Sequence, residues 1–181
     1  MKHFAALLLC LLVVMSLAAC GGKSLPAEEA EGPYEGEIGG TMETYFFDFT
    51  VTNAYCSESY GDYVADDGKA FLVVNVTVRN TGENTITMYD TDFQARWGDE
   101  DEEEYSYPIT AEYSDGLVDA VRQFPEQYDL DGGKSRSGEL VFMVPAGRKT
   151  YTLEYLELFV NSEGETVEGD MFIVSFEPDI V

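Results

Sequence analysis

The sequence predicts an all-β protein: a β-sandwich of about seven to eight strands, preceded by a signal peptide and a disordered tether. Three observations carry that expectation. Most apolar residues past position 40 recur with period two over short runs. Gly, Asp, Asn and Pro cluster between those runs and only one stretch suits a helix. Aromatic residues make up 13% of the chain, with 12 Tyr and 11 Phe, a composition suited to a packed sheet rather than to disorder.

The N-terminal part is an address. Phe4 to Ala19 is an apolar run behind Lys2 and His3, short for a spanning helix, which needs about 20 residues. It has the layout of a secretory signal, with small residues before the cut. Leu17-Ala18-Ala19-Cys20 resembles the lipobox of bacterial lipoproteins. The resemblance implies cleavage between Ala19 and Cys20 and diacylglyceryl attachment to the Cys20 sulfur. Two or more acyl chains anchor stably where one holds marginally. The expected location is therefore extracytoplasmic, at the outer face of the bacterial cell membrane, with the membrane as partner through that lipid. Residues 1–19 are read as signal peptide, 20–40 as a Gly-, Pro- and Glu-rich tether, and 41–181 as the folded domain. A flexible tether of that length spans roughly 25 Å. That exceeds the screening length of about 8 Å in physiological salt, so an acidic domain stays clear of a negative membrane surface.

Within the domain, the first strand is expected over Thr41 to Asn53, with Tyr45, Phe47, Phe49 and Val51 on its inner face. Cys56, just beyond, has the opposite parity and reads as a half-buried small side chain. Ala70 to Arg79 is apolar on both faces, as befits a central strand. It ends at the turn Asn80-Thr81-Gly82. Thr85 to Tyr89 and Thr91 to Trp97 follow. The acidic run Gly98 to Glu104 then forms a hairpin tip before Tyr105 to Thr110. Ser114 caps a short helix that carries Leu117, Val118 and Val121 and stops before Pro125. Gly138 to Val144, Thr150 to Val160 and Met171 to Phe176 complete the set. In Thr150 to Val160 the apolar parity switches from Tyr151, Leu153 and Tyr155 to Leu156, Leu158 and Val160, which predicts a β-bulge.

Two of these segments resemble a family signature. Phe71 to Gly82 has a hydrophobic strand ending in Asn-Thr-Gly, and Gly133 to Pro145 has a Gly-rich turn before Gly-Glu-Leu-Val-Phe-Met-Val-Pro. Over roughly Thr41 to Phe176 the chain resembles an uncharacterised lipoprotein domain family that shares the immunoglobulin-like sandwich of a secreted mycobacterial immunogen. The resemblance implies an immunoglobulin-like β-sandwich; departures are the acidic run and Gly-Gly-Lys where Pro-Gly is usual. Fold analogy of this kind brings no activity with it.

Composition restricts the chemistry. With 35 acidic against 10 basic residues, the field repels polyanions, so nucleic acid is excluded as a partner. The only histidine is His3, inside the leader. The exported part therefore lacks imidazole-dependent triads, Cys–His dyads and His-ligated metals, and no enzyme is expected. Cys56 would be the one thiol left once Cys20 is lipidated, without a disulfide partner. No cofactor is expected, although Asp99, Glu100, Asp101, Glu102, Glu103 and Glu104 offer oxygens to weakly bound calcium; the bland alternative is a solvated charged tip. Tyr105, Tyr107, Tyr113 and Tyr128 are candidate contacts for an envelope protein or a small cationic or sugar ligand, against ordinary core and hairpin packing. A membrane-anchored, non-catalytic binding or interaction module is the expected function. The competing expectation is a structural or antigenic envelope protein without a small ligand.

Overall fold

The computed structural model describes residues 32–98, 104–109, 122–161 and 163–181. Among the described residues the chain forms β1 (Pro33–Glu37), β2 (Thr41–Glu43), β3 (Asp48–Ser57), β4 (Ser59–Tyr60), β5 (Tyr63–Val64) and β6 (Lys69–Arg79). Next come β7 (Ile86–Tyr89), a 3-10 turn at Asp90–Asp92, β8 (Phe93–Arg96) and β9 (Tyr105–Ser106). β10 (Gln127–Leu130), β11 (Ser135–Pro145), β12 (Tyr151–Val160), β13 (Thr166–Phe176) and β14 (Asp179–Ile180) complete the order. The protein is an all-β sandwich. One sheet runs β1-β13-β12-β8-β9 and the other β11-β6-β3-β14, with β2 also paired to β3. Two-stranded ribbons β10-β7 and β4-β5 flank them.

The two inner faces interdigitate as the period-two pattern requires. Phe49, Val51, Leu72, Val74 and Phe142 from one sheet share a cluster with Phe93, Leu153, Tyr155, Phe172 and Val174 from the other. Phe49 stacks edge-on to Phe93 at 5.3 Å, and Phe47 lies 4.7 Å from Tyr155, arrangements worth about 1 kcal/mol each beyond their buried area. The other face of β6 is buried too. Phe71 and Val73 pack with Tyr60, Ile109 and Val141 in a second cluster, which is why that strand reads as apolar on both sides.

Each expected strand has a counterpart, except that the one strand expected over Thr41 to Asn53 is divided into β2 and β3, which turn back and pair antiparallel with each other; three further details differ. Pro33–Glu37 lies inside the stretch read as tether, yet it pairs in parallel with β13 from Pro33↔Met171 to Glu37↔Ser175; the ordered unit therefore starts before Thr41. Cys56 is a core residue, 6% exposed. The register skip between Val51 and Asn53 reverses the parity of β3 and turns Ala54 and Cys56 inward. Tyr45 faces Phe46 and Phe159 at the sandwich edge rather than the central cluster. The helix expected from Ser114 falls outside the described residues. The acidic tip is bracketed as a hairpin, since β8 pairs antiparallel with β9 and the Trp97 N–H donates to the Glu104 carbonyl at 3.1 Å.

Candidate functional site

Residues facing outward from the five-stranded sheet fall into rows across the strands, because aligned partners share a face. Pro33, Met171 and Leu156 make one row. Glu35, Ile173, Glu154 and Gln94 make the next, and Glu37, Ser175, Thr152, Arg96 and Tyr105 the third. Strands lie about 4.8 Å apart, so the third row extends about 19 Å from Glu37 to Tyr105. Most of these side chains, with Trp97, Gly98, Thr150, Tyr151, Glu168 and Gly169, line a groove of about 650 Å³. That volume is in the range of small-ligand sites.

A local irregularity shapes the groove. The β12–β13 register shifts between Leu156 and Leu158, the bulge that the parity switch predicts, and a bulge adds twist to its strand. A side chain at Gly169 would collide with the Phe159 ring, so glycine is needed where the strands close up. Glu157 is turned inward, 1% exposed, and accepts the Tyr45 N–H at 2.5 Å. Leu156, Met171 and Ile173 are left half-buried on the outward face, outside both apolar clusters.

The polar part of the groove is built around Glu154, only 5% exposed although it stands on an outward row. The Gln94 amide donates to Oε2 at 3.0 Å, the Thr152 hydroxyl donates to Oε1 at 3.0 Å, and Arg96 Nη1 lies 3.6 Å from Oε2. These contacts offset part of the cost of burying the carboxylate. Arg96 is thereby committed. Glu35 and Glu168 line the groove without an ion-pair partner among the described residues. At the groove end, Trp97 packs edge-on to Tyr151 at 6.5 Å. Its buried indole N–H has no hydrogen-bond partner among the described residues.

A second polar anomaly lies at the 3-10 turn. Asp90 is 2% exposed, and neither carboxylate oxygen makes a well-formed hydrogen bond. Burial pushes its pKa up to about 7, partly offset by the Thr91 amide and reinforced by the Glu126 and Asp92 carboxylates. Burial likewise raises the Cys56 thiol, the opposite of what a reactive cysteine needs.

The sequence-predicted residues scatter. Tyr105 sits opposite Arg96 on the groove row, half-exposed, with Tyr107 edge-on at 5.7 Å. Tyr128 is not a surface contact. It is buried, stacked on Phe124 at 5.3 Å and covered by Arg136 at 4.8 Å, because β10 turns its even residues into the core. Glu104 is held by Arg148 Nη2 at 2.8 and 3.2 Å, which occupies the carboxylate offered to calcium. Asp99 to Glu103, Tyr113, Ala19 and Cys20 lie outside the described residues. Among the described residues no group of three acidic, Cys or His side chains is placed to hold a metal, and no helix is long and apolar enough to cross a membrane. Sequence reasoning missed Glu35, Arg96, Glu154 and Ile173, which come together only through non-local pairing. The parity switch at Leu156 was the one signal pointing to this face.

Residues 36–166 match the sequence family described as a domain of unknown function, DUF4352. The chain belongs to that family. It is 29% identical over 155 residues to the uncharacterised lipoprotein YcdA of Bacillus subtilis, covering 85% of this chain and 39% of that protein. The chain thus spans about two fifths of the relative's length. The crystal structure of YcdA superposes with a TM-score of 0.52 at 20% identity, over 76% of this chain and 38% of that one, a likeness of fold. The structure of an uncharacterised β-sandwich protein from Clostridium difficile aligns over 85% of this chain and all of that one, at 15% identity and a TM-score of 0.44.

Proposed function

We propose that this DUF4352 chain is a lipid-anchored, extracytoplasmic binding module without catalytic activity. Cleavage after Ala19 and acylation of Cys20 would hold it at the outer face of the cell membrane, and ligand would be taken on the open face of the five-stranded sheet. The lipobox-like stretch and the lipoprotein relative support the anchoring. The two-sheet architecture suits the proposed kinship with the immunoglobulin-like sandwich of a mycobacterial immunogen. One observation carries the binding role: an outward sheet face that forms a groove around a buried, fully engaged Glu154.

The test has two arms. Cys20→Ala should abolish incorporation of labelled fatty acid and release the protein from membranes; unchanged labelling would refute the anchor. Soluble chain 21–181 with Ile173→Arg, which fills the groove floor, should capture none of the envelope component that the unsubstituted chain retains. Identical capture by both would remove the groove from the account.

A further inference from the structure

The geometry points to the occupant of this groove: an extended, cationic peptide segment of about six residues, with aliphatic side chains between its positive ones. This rests on the groove being a binding site and adds the chemistry of its ligand.

Charge comes first. Arg96 is already committed to Glu154, whereas Glu35 and Glu168, also in the lining, form no ion pair among the described residues. An incoming Lys or Arg meets two open carboxylates, set apart along the groove because Glu35 aligns with Ile173 while Glu168 lies beyond the bulge, opposite Leu158. Between them the floor is Leu156, Met171 and Ile173, half-buried and aliphatic. That floor argues against a sugar, whose apolar face is held by flat aromatic rings. The aromatic rings in the lining, Trp97 and Tyr151, are at one end and packed edge-on to each other. Length comes next. From Thr150, just before β12, to Leu156 within it is six residue steps along the groove, about 20 Å at strand rise, the span of about six residues of extended chain. Pro33 and Glu35 on the edge strand β1 discourage pairing of the ligand with the sheet edge, which leaves the face as the place where it lies.

Trp97, the only tryptophan, reports binding through its emission. Soluble chain 21–181 is titrated with Lys-Leu-Lys-Leu-Lys-Leu, Glu-Leu-Glu-Leu-Glu-Leu and a neutral oligosaccharide of six sugars. The basic peptide should shift Trp97 emission saturably, and the other two should not. E35Q/E168Q should weaken the basic peptide at least tenfold, and restoring either glutamate should recover part of that loss. D66N/D67N, two acids on the remote Asp66–Asp67 turn, should change it less than twofold. Equal loss from the remote pair would show non-specific attraction to an acidic protein and overturn the assignment. So would no binding of the basic peptide, or preference for the oligosaccharide; the latter would leave the groove a binding site for another ligand. Loss of envelope capture by Ile173→Arg together with failure of all three probes refutes the peptide and leaves the module standing.

Discussion

Asp90 is where a single residue works against the fold. Its carboxyl is buried without a well-formed hydrogen bond and its pKa is pushed up to about 7 from 3.8. Between those values the folded protein keeps a proton that the unfolded chain has released. Stability therefore falls as pH rises from about 4 to about 7. A shift of that size corresponds to at most about 4 kcal/mol. Asp90→Asn keeps the shape and removes the charge, so it should flatten this dependence and stabilise the protein by a few kcal/mol at pH 8, while leaving it nearly unchanged at pH 4. Urea unfolding of both forms at pH 4, 6 and 8 checks this, and parallel curves would show that Asp90 is not the group responsible. Glu154 is as buried as Asp90 and meets three partners. The contrast shows that engagement, not burial, decides whether an interior carboxylate is a liability.

At the scale of elements, β1 shows why one strand escapes a sequence reading while its neighbours do not. Pro33-Tyr34-Glu35-Gly36-Glu37 contains residues that disfavour strands, and it is ordered only by pairing with β13, far away in sequence. Tyr34 stacks on Phe172 at 5.2 Å, and Gly36 packs against the Met42 thioether, which a larger residue would displace. The chain begun at Thr41 loses that pairing and uncovers Phe172. It should be about 1–3 kcal/mol less stable in urea than the chain begun at Gly21, and equal midpoints would mean that β1 contributes only a groove wall. By contrast β6, β11 and the bulged β12 were legible, since alternation and turn residues are local properties. The groove was not. Its residues come from β1, β8, β12 and β13, and Glu154 has the parity of a solvated residue until the curved sheet encloses it.

At the scale of the whole molecule, charge sets opposite salt responses for folding and for binding. The chain has a formal net charge of −25. With 10 basic residues for 35 acidic ones, at least 25 carboxylates lack a basic partner however the pairs are drawn. Three ion pairs stand among the described residues, Arg96–Glu154, Arg122–Glu139 and Arg148–Glu104, the first two with buried glutamates; the third, exposed on both sides, contributes about 1 kcal/mol or less. The unpaired carboxylates far outnumber these pairs, so self-repulsion dominates the acidic surface. Raising ionic strength from 0.01 to 0.15 M shortens the screening length from about 30 Å to about 8 Å, and should raise the melting temperature of chain 21–181 by a few degrees. The same screening should weaken the basic hexapeptide, because its positive charges lose the field of Glu35 and Glu168 along with that of the whole surface. Thermal unfolding and Trp97 titration at matched salt concentrations give the two slopes. A melting temperature that falls with salt would mean that the arginine pairs, not carboxylate repulsion, dominate the surface. Binding indifferent to salt would mean that the aliphatic floor, rather than charge, holds the peptide.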